Sequence, residues 1–317
     1  MKVLVLGAGA VGGYFGGRMA EAGADVTFLV RPARAELMAK NGLRIKGGKA
    51  GDLTIKAKCV VEAQVKPDYD VVMFTTKAYD LGSALDAIAP AMAGGKGCVL
   101  PFLNGMSHLD ALDTRFGRER VMGGVAYIAS QLSPEGVILH LNDLHRIVFG
   151  PRDVGVNAAQ KAVCDALSAA LKGVKFDWKQ LDNVEQAMWD KWVLLASLAG
   201  ITCLMRAAVG DIVATGSGEK LILALLAENA SVAKAEGYAT PEPVMANYRS
   251  MLTQKGSTFT ASMLRDVESG NQAEGDHILG ALLARARKHG IAAPVLETAV
   301  TNLEAYAARK KREKASG

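Results

Sequence analysis

The sequence predicts an α/β protein, with an N-terminal domain built on a parallel sheet followed by an all-helical C-terminal domain. Three observations carry this. A glycine-rich turn follows an apolar run within the first dozen residues. Strand and helix signals alternate from residue 1 to about 150, the rhythm of βαβ units. Beyond about residue 180 the strand signals stop and long helical patterns follow. The boundary is therefore placed to give domains 1–180 and 181–317, and 317 residues are enough for two domains.

The first element is Val3 to Leu6, a short apolar run with β-branched character that reads as a buried strand. Gly7-Ala8-Gly9-Ala10-Val11-Gly12 follows directly, and an amphipathic stretch runs on to about Ala22. Strand, glycine turn and helix start are the setting in which G-x-G-x-x-G marks a dinucleotide-binding, Rossmann-type domain. Gly7 is expected to make the tight turn. Gly9 is expected to let the backbone approach a pyrophosphate, and Gly12 to allow close helix–strand packing. The helix N-terminus offers unpaired amides to the phosphates. The second strand is Asp25 to Val30. An NAD enzyme usually places Asp or Glu at its end, on the ribose 2′-hydroxyl. Here that place holds Arg31, with Arg34 close behind. A guanidinium suits a 2′-phosphate by charge and by its planar donor fork, so the expected cofactor is NADP(H). A solvated surface arginine is the alternative reading.

Asp70 to Thr75 and Gly97 to Leu100 read as further buried strands. Val121 to Ala129 and Gly136 to Leu141 read as later strands, expected to pair antiparallel, with Pro134-Glu135-Gly136 as the turn between them. The helical half comprises Val184–Ala199, Gly218–Glu236, Pro241–Leu252, Ala273–His289 and Pro294–Lys311, punctuated by Gly237, Gly290 and nearby prolines. Trp192 to Met205 holds 14 uncharged, mostly apolar residues. That is short of the roughly 20 needed to cross a bilayer, so it reads as a buried core helix.

Composition narrows the function. Half the residues are hydrophobic, enough for a sizeable core. The net charge of +5 is mostly the tail Arg309-Lys310-Lys311-Arg312-Glu313-Lys314, and no basic patch is interleaved with aromatics, which argues against nucleic acid. Cys59, Cys98, Cys164 and Cys203 are scattered with no C-x-x-C pair, as expected of a reduced cytoplasmic protein. No His/Cys cluster points to a metal. Lys2 and the apolar run mimic a signal peptide, but the dinucleotide pattern accounts for the same residues better.

Several residues could carry chemistry. Lys77 directly follows one strand signal and Asn104 follows another, which would place both at carboxyl ends of strands. A solvated lysine and an ordinary Asn-Gly turn are the competing readings. Lys191 opens the long apolar run between Trp189 and Trp192. It either snorkels out or is placed for proton transfer. By pattern alone, Glu274 and Asp276 are surface carboxylates.

The whole chain resembles the ketopantoate reductase (2-dehydropantoate 2-reductase) family. The resemblance lies in GAGAVGG at the start, LVR at Arg31, TTKAYD around Lys77, LNG around Asn104, MWDKW around Lys191, SMLRDVESG from Ser262 and AEGDHILG around Glu274. It implies NADPH-dependent reduction of a small 2-oxo acid, with ketopantoate as the default substrate. Pantoate would be the product, in pantothenate and coenzyme A synthesis. It makes Lys191 the general acid, with Glu274 near it and the cofactor. Asn104 and Lys77 would lie on the nicotinamide side, Ser262 against the substrate, and Ala129 would contribute a backbone contact to the cofactor.

The chain departs from the family where the substrate is held. Family asparagines four and eight residues past the catalytic lysine are Leu195 and Ala199 here, and a third falls near Val209. A pocket that loses such amides loses discrimination for a polar substrate. A different, less polar 2-oxo acid is therefore the second reading, and a non-catalytic NADP(H)-binding regulator a third, against which Lys191 and Glu274 argue. Arg206 is a candidate replacement for carboxylate binding. It lies roughly 22 Å past Lys191 along a straight helix, so it could share the substrate only if the chain bends, for instance at Gly200. The apolar helical half leaves a homodimer open.

Overall fold

The structure is a computed structural model and describes residues 1–152 and 158–315. It divides into two compact units. One is Met1–Leu103 with His108–Glu185, and the other is Asn104–Ser107 with Gln186–Gly317.

The first unit begins β1 (Lys2–Leu6), α1 (Gly12–Glu21), β2 (Asp25–Leu29), α2 (Pro32–Asn41), β3 (Leu43–Lys46), β4 (Leu53–Ile55), β5 (Lys58–Val60), β6 (Val71–Phe74), α3 (Leu81–Met92) and β7 (Cys98–Pro101). Strands β5-β2-β1-β6-β7 form one sheet in that order, every neighbour parallel. β1 is central. Val3, Leu4 and Val5 are fully buried, as are Val71, Val72 and Phe74 of β6. Covered on both faces, such strands show continuous apolar runs rather than alternation, which is why they were readable. The α/β class expected from the sequence is the one observed.

A second sheet was not anticipated. After α4 (Ser107–Phe116) come β8 (Gly123–Leu132), β9 (Val137–Gly150), α5 (Ala158–Ala170) and β10 (Asp177–Gln180). The order is β10-β9-β3-β4, with β8 also paired to β9. The β8–β9 hairpin is antiparallel, as the sequence suggested, but β9 runs 14 residues. Its turn closes through the Ser133 amide on the Val137 carbonyl at 2.8 Å, with Gly136 at φ +72°.

The second unit is helical: α6 (Glu185–Met205, whose first residue lies in the other unit), α7 (Val209–Val213), α8 (Gly218–Ala235), α9 (Glu242–Leu252), α10 (Ser262–Glu268), a π-helical turn at Asp276–Gly280, α11 (Ala281–Lys288) and α12 (Pro294–Ala315). α6 does not stop at Ala199. It continues through Gly200, where a side chain would press on Leu225 at 2.9 Å and Leu279 at 3.1 Å. That glycine lets helices approach closely rather than bending α6. At 21 residues α6 is long and apolar enough to cross a membrane, yet 67% of its apolar window is buried inside the protein. Ser197 and Thr202 return their hydroxyls to the carbonyls of Val193 and Leu198, both at 2.7 Å, so these two hydroxyls donate within the helix itself.

Candidate active site

The glycine turn is built by constraints from three sides. Gly7 has φ +91°, a conformation that strains any residue with a Cβ. A Cβ on Gly12 would overlap Thr75 Oγ1 and the Gly7 carbonyl, so α1 packs against β1 at a distance only glycine permits. The turn's carbonyls are tied down by side chains. Thr75 Oγ1 donates to Leu6 O at 2.7 Å, Arg34 Nη2 to Ala8 O at 2.9 Å, and Ser130 Oγ to Ala10 O at 3.0 Å. Among the described residues, no backbone carbonyl receives the amides of Gly9, Ala10 or Val11, and a Cβ on Gly9 would meet open space. Acceptors engaged and amides left over at a helix start fit the pyrophosphate of a dinucleotide.

Arg31 and Arg34 have different work. Arg34 also donates through Nη1 to Gly136 O at 2.9 Å, which commits it to bracing the turn. Arg31 is the last extended residue before α2, with its side chain 81% exposed and Nη2 3.4 Å from Asp80 Oδ1. Lys77 is exposed, three residues past β6. Ala129 is half-buried in β8, where the register against β9 jumps from Ile128↔His145 to Ser130↔His140.

In the helical unit, Lys191, Asn104 and Glu274 come together. Lys191 Nζ donates to Asn104 Oδ1 at 3.0 Å. Burial pushes the lysine's pKa down from 10.5 to about 8, and the charge of Glu274 pulls it part of the way back. Glu274, read from pattern as a surface carboxylate, is buried. The flanking tryptophans fix the helix face. Trp192 Nε1 donates to Ile278 O at 2.9 Å, Trp189 stacks on Tyr238 at 5.7 Å, and the Arg285 guanidinium sits 5.0 Å over the Trp192 ring.

The π-helical turn is what receives this face. An i→i+5 turn leaves carbonyls without their usual helical partners, and such turns recur at functional sites. Here Ile278 O takes the Trp192 indole, and His277 O takes the Ser107 hydroxyl at 3.4 Å. The half-buried His277 ring is hydrogen-bonded to the Asn104 backbone. Burial lowers its pKa against the opposing pull of Glu274 and of that bond. The 104–107 segment is thus held on the turn that follows Glu274.

Ser262 is the exposed first residue of α10. Leu195 is half-buried one turn beyond Lys191, Ala199 is fully buried two turns beyond, and Val209 is buried at the start of α7. Arg206 follows the end of a continuous α6, with φ +53° and its guanidinium 5.9 Å over the Tyr306 ring. The bend that would bring it back toward Lys191 is absent. Sequence reasoning missed Thr75, Ser130, Asp80 and His277. Only Thr75 had a readable signal, its place at the end of a buried strand.

Comparison with known proteins gives a consistent answer. A family profile described as ketopantoate reductase PanE/ApbA matches residues 3–153, and one described as its C-terminal domain matches residues 183–307. The chain is 39% identical over 311 residues to an uncharacterized oxidoreductase, YkpB, of Bacillus subtilis, covering 98% of this chain and 100% of that protein. A PanE/ApbA family ketopantoate reductase from Ralstonia eutropha superposes with a TM-score of 0.85 at 26% identity, over 98% of this chain and 100% of that one. A D-mandelate dehydrogenase solved with NADH and anilino(oxo)acetate shares the fold, with a TM-score of 0.83 at 22% identity over 98% and 100% of the two chains.

Proposed function

Because this chain belongs to the ketopantoate reductase family of dinucleotide-dependent oxidoreductases, we propose that it reduces a 2-oxo acid with NADPH and that Lys191 is its proton donor. The observation that carries the reading is the Lys191–Asn104 contact beside buried Glu274. Reduction of a ketone builds negative charge on the carbonyl oxygen, and a positioned acid relieves it. A nicotinamide dinucleotide, once bound, would supply the hydride. The protein's own task is to hold and deliver the proton. With a pKa of about 8 the ammonium is mostly charged at neutral pH, yet it gives up its proton more readily than an exposed lysine. Asn104 Oδ1 accepts one of the ammonium's three N–H bonds and so fixes the direction of the others. Glu274 keeps the ammonium protonated until the oxygen becomes basic. Within the first unit, the amides of the glycine turn and Arg31 would hold the pyrophosphate and the 2′-phosphate, with Lys77 and Ala129 as further cofactor contacts; within the helical unit, Asn104 and Glu274 are read as cofactor contacts and Ser262 as a substrate contact.

Ketopantoate is the default substrate, within a cytoplasmic enzyme that can pair as a homodimer. A less polar 2-oxo acid is the second reading, supported by apolar Leu195 one turn from Lys191. A D-mandelate dehydrogenase on the same fold, solved with an anilino-substituted oxo acid, is consistent with that breadth of substrate class.

Lys191→Ala tests the assignment. It should lower kcat about 100-fold or more, the usual scale for a lost general acid, while NADPH affinity changes little. Turnover near wild type would make the lysine structural.

A further inference from the structure

The Arg31–Asp80 pair spans the carboxyl end of β1. β2 and β6 flank β1 and run parallel to it, so the residues that follow them emerge at one edge of the sheet. Arg31 comes two residues after β2 and Asp80 six residues after β6. Their side chains meet at 3.4 Å beside the strand that feeds the glycine turn. Asp80 stands at the N-cap of α3, where an aspartate ordinarily accepts the first unpaired amides of the helix. Its carboxylate makes no such bond. Among the described residues, Arg31 is its one ion-pair partner. Asp80 ends the short 3-10 turn Ala78–Asp80 that runs into α3, at φ −94° and ψ 4°, so its carboxylate is not engaged in capping and faces the arginine.

This matters for the choice of cofactor, and the argument rests on Arg31 lying at the adenosine ribose as read above. A 2′-phosphate carries about −1.5 to −2 charges and seeks a guanidinium in a bidentate pair. To take Arg31 it must displace a carboxylate already there, or sit beside that like charge. A 2′-hydroxyl meets no such obstacle. It is neutral, and it donates to a carboxylate, the interaction by which an acidic residue selects NAD at this place in related folds. One side chain thus favours the phosphate and its neighbour opposes it.

We propose that Asp80 is a specificity-determining residue that competes with the cofactor's 2′-phosphate for Arg31, so that the protein binds NADH as well as NADPH with only a modest preference between them. The competition is electrostatic and partly exposed, so it weakens as salt rises.

Asp80→Asn tests this. Asparagine has nearly the same shape, and Asp80 makes no capping bond that the change could remove, so α3 is not put at risk. Binding of NADPH and of NADH is measured by fluorescence titration or calorimetry on the protein without substrate, at low and high salt, for wild type, Asp80→Asn and Arg31→Ala. Adenosine 2′,5′-bisphosphate and 5′-AMP serve as probes that carry no nicotinamide. In Asp80→Asn, NADPH and the bisphosphate should bind about 2- to 5-fold tighter at low salt, the range of a partly screened charge contact. NADH and 5′-AMP should bind unchanged or more weakly, and the gain should shrink at high salt. Tightening of both cofactors alike, or no gain for NADPH, overturns the proposal. If Arg31→Ala removes the NADPH preference while Asp80→Asn does nothing, Asp80 alone is acquitted and the place of Arg31 stands. If neither variant moves NADPH, the placement of the ribose fails, and the proposal fails with it.

Discussion

Replacing Glu274 by glutamine should move the pH at which the enzyme loses activity, and in a direction set by the structure. Burial lowers Lys191 from 10.5 to about 8 even though Glu274 pulls it upward. That drop corresponds to about 3 kcal/mol against the ammonium. The proton-donating form is the charged one. Activity in kcat/KM should therefore be flat below about pH 8 and fall roughly tenfold per pH unit above it. Removing the carboxylate removes a charge that favours the ammonium. Interactions with charged groups of this kind are worth about 1.5–3 kcal/mol, so the midpoint should drop by about one to two pH units. The variant would then lose a large share of its donor at neutral pH and recover part of it on acidification. The assay is the initial rate of NADPH oxidation at low substrate, from about pH 6 to 10. A midpoint that stays put or rises in Glu274→Gln, or a wild-type rate still undiminished near pH 10, would refute the reasoning.

The two positions on α6 where family relatives carry asparagine give contrasting substitutions. Leu195 is half-buried, so Leu195→Asn should fold and should raise the ratio of kcat/KM for ketopantoate over an isosteric 2-oxo acid lacking the hydroxyl. A wild-type ratio already above about 10⁴ would mean that other residues recognise the hydroxyl. Ala199 is fully buried, so Ala199→Asn places an amide in the core at a cost of about 1–3 kcal/mol, read as a Tm lower by several degrees. Arg206 lies beyond a continuous α6 with φ +53°. Arg206→Gly should leave KM unchanged and raise stability by up to about 1–2 kcal/mol, the left-handed penalty it relieves, less whatever its contact with Tyr306 contributes; a large rise in KM would place it at the substrate after all.

What could be read from the sequence follows the physics of each element. β1, β6 and β7 were legible because strands buried on both faces are unbroken apolar runs. β3, β4 and β10 were not, since three or four residues of mixed polarity carry no period, and their place depends on pairing with the distant β9 or, for β4, with β3. Gly200 was considered only as a possible bend after Val184–Ala199; the helix runs through it, and its lack of a side chain serves packing against Leu225 and Leu279. The glycine turn announced itself, but its supports did not. Arg34 reads as a second phosphate arginine and proves to hold the Ala8 and Gly136 carbonyls. Ser130 is an unremarked serine until the fold brings it to Ala10 O. At the proposed active site, the residues themselves left Lys191 undecided and Glu274 on the surface, and family resemblance singled them out. Their proximity depends on a π-helical turn, which has no residue pattern of its own.

The central claim is that this chain reduces a 2-oxo acid at the expense of NADPH. The most direct measurement is NADPH consumption by the purified wild-type protein with ketopantoate, its isostere without the hydroxyl, and an aryl-substituted 2-oxo acid, with the 2-hydroxy acid product identified in each case. The account predicts stoichiometric NADPH oxidation and 2-hydroxy acid formation with at least one of the three, slowed about 100-fold or more in Lys191→Ala. No product from any of them, or the same rate in the lysine variant, would contradict it.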